Sequence, residues 1–481
     1  MSRTQTGELR VGSERLHARD AVFVYDETDR HLSSIVAAYF ADASNSAPLS
    51  TDEVVAWTRA RVGHAALFHR TLRRVPLDLD LPSWVPDPTM SVREHVTLVP
   101  DVRTWDDARA RIAEITSARI DPTRPPWELQ VMDGVDGVPS MPGPTTLVVL
   151  KFHHSVGDGV ATRALEQRMF GTDPAPIIRF EEAGTLSTAV RTVGAIVAQP
   201  VRFVAGLRRA RTAKAQLAAS VAAGAIHQPD AVRPATRFNR DIRSVLTFHL
   251  VPIPMAEVLA AKAAAPQRVT INDLLLTTVA GALAAYLADH DETPESSLAA
   301  MVPMSMRGVA DWDSANRLSQ MVVDLHTDIA DPLARLAAIK QSAGRAKQRT
   351  ADPVVLRADR LVETAPALLL RAAGWARAQR RFDGADTVPL CNTTISNVPP
   401  VTDELVFCGM PIRRAVGALP ILDGDGLRHL ITSQGEEIVL AFTTSAAMMP
   451  DPEHYGELLL RSFRTLAAAL AAQGVAARAG S

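Results

Sequence analysis

A chain of 481 residues exceeds what one hydrophobic core ordinarily supports, so two or three domains are expected. Its 51 basic residues are balanced by 53 acidic ones, and the resulting net charge of −2 gives no overall attraction for nucleic acid. Only Cys391 and Cys408 are present, too few to staple such a chain, which points to a reducing compartment. The polar start MSRTQTGELRVGSERLHARD lacks the apolar core of a signal peptide, so the protein is read as cytoplasmic. No uninterrupted apolar window reaches the roughly 18 residues of a membrane span, because the best stretches carry Arg191 and Arg202, or Arg371 and Arg377. The chain is expected not to cross a membrane, although it could lie against one.

In chain order, residues 21–25 read as a short apolar strand and 33–40 as a second. Thr51 opens a helix through His64, with Asp52 and Glu53 suited to its first turn. Residues 74–99 are Pro-rich and extended, ending in a strand at 95–99 whose His95 reads as a packed residue. Helical spacing of Trp105, Ala108, Ile112 and Ile115 predicts an amphipathic helix over 104–117. The stiff Arg124-Pro125-Pro126 turn leads into a strand beginning at Trp127, and a Gly/Pro-rich loop follows up to Pro144.

Residues 147–161, LVVLKFHHSVGDGVA, organise this half. A buried strand runs into His153 and His154, a Gly-punctuated turn follows, and residues 159–170 continue as a helix. Neighbouring strand side chains face opposite ways, so one histidine should face a cleft and the other the interior. A neutral imidazole accepts a hydroxyl proton near neutrality, which makes general-base work the natural chemistry. Asp158, between Gly157 and Gly159, could orient a ring or lock the loop. A lone histidine at a strand end is most often structural, but the paired form with Asp and Gly lowers that reading. No further His/Cys/Asp cluster at ligand spacing lies nearby, so no metal is expected. Ser155 is a weak nucleophile candidate, since no G-x-S-x-G turn occurs.

Residues 184–226 are Ala-, Val- and Arg-rich with helical spacing. They read as a solvated crossover bearing Arg208, Arg209, Arg211 and Lys214, with a membrane-surface helix as the sharper alternative. The second half opens with a strand at 245–250. Thr270 and Asp273 stand at capping-box spacing before a strongly apolar helix. Strands are expected at 300–309 and 321–326, a helix at 332–348, helical Ala/Arg-rich sequence at 353–381, and a strand at 394–397 entering a stiff loop. Strands at 430–433 and 438–443 precede a closing amphipathic helix from 452.

The ordered set HHSVGDG, preceded by PPWE and followed by Asn272-Asp273, VPMSMR and ISNVP, resembles the bacterial wax ester synthase/acyl-CoA:diacylglycerol acyltransferase family over nearly the full length. HHxxxDG alone is shared by a wider superfamily that includes condensation domains and polyketide-associated acyltransferases. The resemblance implies a mixed α/β fold of two chloramphenicol-acetyltransferase-like halves meeting at a tunnel. The expected division is an N-terminal subdomain over 1–183, a helical crossover over 184–235 and a C-terminal subdomain over 236–481.

It further implies that His154 is the general base, supported by His153, Asp158 and Gly159, and that Arg307 forms a structural ion pair with Asp158. Trp127, Asn272, Asp273, Ser396 and Asn397 are implied to serve substrate binding. Fatty acyl-CoA is the implied co-substrate, with no bound cofactor, and diacylglycerol or a long-chain alcohol the acceptor. Peripheral contact with the inner membrane or a lipid droplet is consistent with such substrates. Pro126, Pro400 and Gln434 stand where the family usually has Leu, Gly and Tyr, differences that bear on acceptor fit. Transfer involving a carrier-bound or polyketide-type substrate, and a catalytically degenerate lipid-binding protein, are the competing readings.

Overall fold

The computed structural model describes residues 7–181, 185–229, 232–383 and 388–479. Two six-stranded mixed sheets dominate it. In the N-terminal sheet Thr145–His153 is central, and all nine of its residues are buried. Such a strand, covered on both faces, reads as a continuous apolar run rather than an alternation. It pairs antiparallel with Ser34–Asp42 on one side and Trp127–Val135 on the other, with Ser34 opposite His153. Val96–Leu98 adds a parallel edge.

The helix Trp105–Ser117 begins with the Thr104/Asp107 capping box and ends on Lys151. The Lys151 Nζ donates to the Ile115 and Ala118 carbonyls at 2.8 and 2.6 Å. A fully buried ammonium thus satisfies orphan carbonyls at a helix C-terminus and ties that helix to the histidine strand. Burial pushes its pKa down, while Glu128 and Glu27 pull it back up.

The C-terminal sheet runs in the order Leu246–Pro254, Glu437–Ser445, Leu427–Gln434, Thr393–Asn397, Ala299–Ser305, Leu318–Asp324. The helix Ile271–Asp289 packs behind it. Among the described residues this is the one helix long and apolar enough to cross a membrane, but its leucines fill the C-terminal core. Its start carries the Thr270/Asp273 capping box expected from the spacing.

Two findings depart from the sequence reading. Residues 21–25 are not a strand but lie in the helix Ala18–Asp26. The Ala-Val-Phe-Val-Tyr run favours β structure locally, yet Ala18, Ala21 and Tyr25 bury one helical stripe against Ala367 and Leu370. Tertiary packing outweighs propensity here. Second, Val406–Phe407 and Met410–Ala418, which fall in the 236–481 segment, join the N-terminal sheet, where Met410–Ala418 pairs antiparallel with Ser34–Asp42. One core unites Val36 and Phe40 with Phe248 and Val439 of the other sheet, so apolar burial rather than chain position decides where these strands go. The junction expected at 183/184 lies outside the described residues. Beyond it, Thr185–Ala222 is helical, with Arg208, Arg209, Arg211 and Lys214 exposed.

Candidate active site

The strand Thr145–His153 delivers both histidines to one end of its sheet, and a single turn of 3-10 helix, His154–Val156, separates them from the helix Gly159–Phe170. His153 is buried and faces inward. Its Nδ1 meets Ser155 Oγ at 2.7 Å and accepts the Ser155 N–H at 3.1 Å. That leaves Nε2 toward Glu27 Oε2, 3.5 Å away. Burial raises the Glu27 carboxyl, but the contact with His153 and the nearby Arg119 outweigh it and hold the group below its ordinary value. His153 is a buried strut of the loop.

His154 is held at its backbone and left open at its ring. Its N–H donates to the Ser33 carbonyl at 2.7 Å, and its carbonyl accepts from Gly157 N–H and from Asn316 Nδ2 at 2.9 Å. The ring is partly exposed and stacks on Phe23, with centroids 4.2 Å apart and planes 9° from parallel. Such a stack contributes about 0.5–1.5 kcal/mol beyond area burial and keeps the imidazole from rotating. Burial pushes the His154 pKa below 6.5, only partly offset by its own backbone and by the Asn316 side chain. The ring is therefore neutral at pH 7, the form a general base requires. Its Nδ1 and Asn316 Oδ1 are both buried, and neither has a hydrogen-bond partner of good geometry among the described residues.

Asp158 faces away from this ring. Its Oδ1 accepts the Val160 and Ala161 N–H groups at 3.1 Å each and so caps the following helix. The other oxygen accepts from Arg317 N at 2.8 Å and from Arg307 Nη1 at 2.7 Å. Burial raises this carboxyl, while Arg307 and the helix-end amides more than reverse that and hold it below the usual range. Gly157 has no room for a side chain, since a Cβ would lie 2.6 Å from Ala161 Cβ. Gly159 has ordinary clearance, 3.5 Å from Val398.

The other expected site residues divide. Trp127 is fully buried, donates Nε1–H to the Phe68 carbonyl at 3.2 Å and stacks on His95, so it packs the N-terminal core instead of meeting substrate. One oxygen of the Asp273 carboxylate accepts Thr270 N–H at 2.8 Å, which places this residue in the helix cap. Asn272, beside it, is partly exposed. Ser396 and Asn397 end the strand Thr393–Asn397, the first partly exposed and the second exposed. Immediately after them, the Pro399 carbonyl accepts from Arg163 Nε at 2.9 Å, docking that loop on the helix that follows the histidines. Among the described residues no hydrogen bond joins Asn272, Ser396 or Asn397 to the histidine loop.

Residues missing from the sequence reading complete the site. Asp20, one turn before Phe23, accepts from Ser314 Oγ, Ala315 N, Asn316 N and Asn316 Nδ2 at 2.8–3.1 Å. The loop so gripped supplies Asn316 to His154 and Arg317 to Asp158. One short helix thus both stacks on the base and anchors the segment that braces it from the other half. The available signal was Asp20 in a first helical turn, with Ala21 and Tyr25 four apart on one face. Two clefts, of about 350 and 210 Å³, lie elsewhere; one is lined by Gln320 and Arg349, the other by His17 and Glu363. Among the described residues no group of three His, Cys, Asp or Glu side chains could hold a metal.

The model of the wax ester synthase/diacylglycerol acyltransferase catalytic domain matches residues 16–275, and that of the WS/DGAT C-terminal domain matches 314–467. A Mycobacterium tuberculosis protein named as a diacylglycerol O-acyltransferase is 27% identical over 93% of this chain and 90% of its own length. A second from that organism is 31% identical over 67% of this chain and 69% of its own. Among solved structures, the wax ester synthase/diacylglycerol acyltransferase of Marinobacter aquaeolei VT8 superposes with a TM-score of 0.64 at 19% identity, covering 95% of this chain and 99% of that one. Trichothecene 15-O-acetyltransferase of Fusarium sporotrichioides follows at 0.60 and 13% identity, covering 95% of each. Both likenesses speak to the fold.

Proposed function

Since the chain belongs to the wax ester synthase/diacylglycerol acyltransferase family and is an acyltransferase of that type, we propose that it moves a fatty acyl group from acyl-CoA to an acceptor hydroxyl, with His154 as general base. The observation that carries this reading is the setting of His154: its pKa pushed below the ordinary value by burial, its ring stacked on Phe23 and its carbonyl held by Asn316. Diacylglycerol and a long-chain alcohol are the acceptors that fit the family.

In this mechanism Nε2 takes the hydroxyl proton as the acceptor oxygen attacks the thioester carbon. The tetrahedral intermediate then expels the CoA thiolate, which receives that proton from the imidazolium. No acyl-enzyme forms. The amides of Val160 and Ala161 are already taken by Asp158, so the transient oxyanion draws its donor from elsewhere. Much of the acceleration comes from holding two bulky reactants end to end at one ring.

The test is thiol release from palmitoyl-CoA, run separately with hexadecanol and dioleoylglycerol. The wild type should release thiol with at least one acceptor, and His154→Ala should lose release with both while keeping its circular dichroism. A folded His154→Ala protein with substantial activity refutes the assigned base. Activity only with an acyl group on a phosphopantetheinylated carrier protein refutes the acyl-CoA reading.

A further inference from the structure

The helix Ala367–Ala378 turns the wrong face to water. A surface helix ordinarily buries its apolar stripe and exposes charge. Here the inward side is Ala367, Leu370 and Gly374, and Gly374 lies so close to the Tyr25 carbonyl that no side chain would fit. Outward, at the i, i+4, i+7 spacing of one stripe, stand Leu368, Ala372 and Trp375, with Leu369 and Ala376 alongside. Trp375 is 67% exposed and Leu368 51%. Beside this face the turn Pro76–Asp78 adds Leu77, 78% exposed and held outward by a left-handed backbone (φ 57°). The turn is locked to the helix by Asp78, whose Oδ2 accepts from Arg371 Nη1 at 2.8 Å.

Charge decides what this face meets. Arg371 lies beside the apolar stripe, and Arg380 and Arg381 follow the C-terminal end of the helix. The acids that meet the helix are already neutralised, Asp78 by Arg74 and Arg371 and Asp26 by Arg377. Arg380 and Arg381 have no acidic partner among the described residues. An exposed Trp and leucines edged by arginines match the layered chemistry of a lipid surface, with acyl chains below and anionic head groups at the rim.

We propose that the face of Ala367–Ala378 carrying Leu368 and Trp375, together with Leu77, is the surface by which this protein docks on anionic membranes or lipid monolayers. The helix packs on Ala18–Asp26, whose Phe23 stacks on His154, so docking places the bilayer one helix away from the base. This goes beyond the acyl-transfer reading and does not depend on it.

The test is flotation of the full chain with vesicles of phosphatidylcholine alone or of equal parts phosphatidylcholine and phosphatidylglycerol. Wild type and His154→Ala should both float with the mixed vesicles. The exposed double variant Leu368→Gln/Trp375→Gln, checked for an unchanged melting curve, should partition at least about tenfold more weakly, a loss of about 1.4 kcal/mol. Arg380→Glu/Arg381→Glu should lose the preference for phosphatidylglycerol, while Arg208→Glu/Arg209→Glu/Arg211→Glu on Thr185–Ala222 should float as wild type. The proposal is overturned if wild type floats with neither vesicle, if the Leu/Trp variant floats unchanged, or if the Thr185–Ala222 variant alone abolishes flotation. It is also overturned if the Leu/Trp variant turns a dimer into a monomer without changing flotation, because a second copy would then be what covers this face.

Discussion

Replacing Asp158 by Asn tests whether this carboxylate braces the loop from the side opposite the substrate. The substituted side chain keeps one oxygen for the Val160 and Ala161 amides, so the helix cap survives. Its amide nitrogen, however, must face two donors, Arg307 Nη1 and Arg317 N, which in the wild type stand 2.7 and 2.8 Å from an acceptor. Each charge-assisted bond lost costs about 1.5–3 kcal/mol. Arg307 is near one-third exposed and regains water, so its share is discounted and the sum is about 2–4 kcal/mol. Asp158→Ala, which also loses the cap, should cost about 1 kcal/mol more.

Urea unfolding measures both variants, and a double-mutant cycle with Arg307→Met should return a coupling of about 1–3 kcal/mol. The pH dependence has a fixed sign. The folded carboxyl lies below its ordinary 3.8, so its contribution is present above that value and fades as pH falls through the folded pKa; the gap between wild type and Asp158→Asn should narrow there. An Asp158→Asn protein within about 0.5 kcal/mol of wild type, or a coupling near zero, refutes the bracing role.

Because burial lowers the His154 pKa, the acid limb of kcat/KM against pH should fall below the ordinary 6.5, with activity retained at pH 6.5 and lost only at lower pH; a limb at or above 6.5 contradicts the burial argument. Asn316→Ala removes the donor to the His154 carbonyl and to Asp20, so kcat should drop about ten- to a hundredfold with little change in KM. Since the Asn316 side chain favours the charged ring, the same variant should move the acid limb further down; an unmoved or upward limb means that Asn316 is merely structural.

The histidine strand, its turn and the helix at Gly159 were legible because every signal there is local: an apolar run, a glycine break, an Asp at the cap. The same holds for Thr270 and Asp273, whose capping spacing marks the start of the apolar helix. For the Arg307–Asp158 contact the family pattern implies an ion pair on the aspartate, and the polar end of an apolar strand points to Arg307 as the partner. What stayed hidden depends on distant partners. Phe23 sits in a β-favouring run whose helicity is set by Ala367 and Leu370, more than three hundred residues onward. Asn316 meets His154 across 162 positions and carries no periodic signal. Trp127 shows the converse: the family resemblance implies contact with substrate, whereas its backbone pairing opposite Phe152 buries it.

The excursion of Met410–Ala418 into the opposite half limits how the polypeptide can be divided. A fragment ending anywhere in the long linker helix would leave Ser34–Asp42 with a bare margin of unsatisfied amides, a template for self-association. The complementary fragment would carry an orphan ribbon with nothing to zip onto. Split reporters, circular permutants and truncations must therefore keep that ribbon with the first half, or supply both pieces together so that reassembly restores the seam.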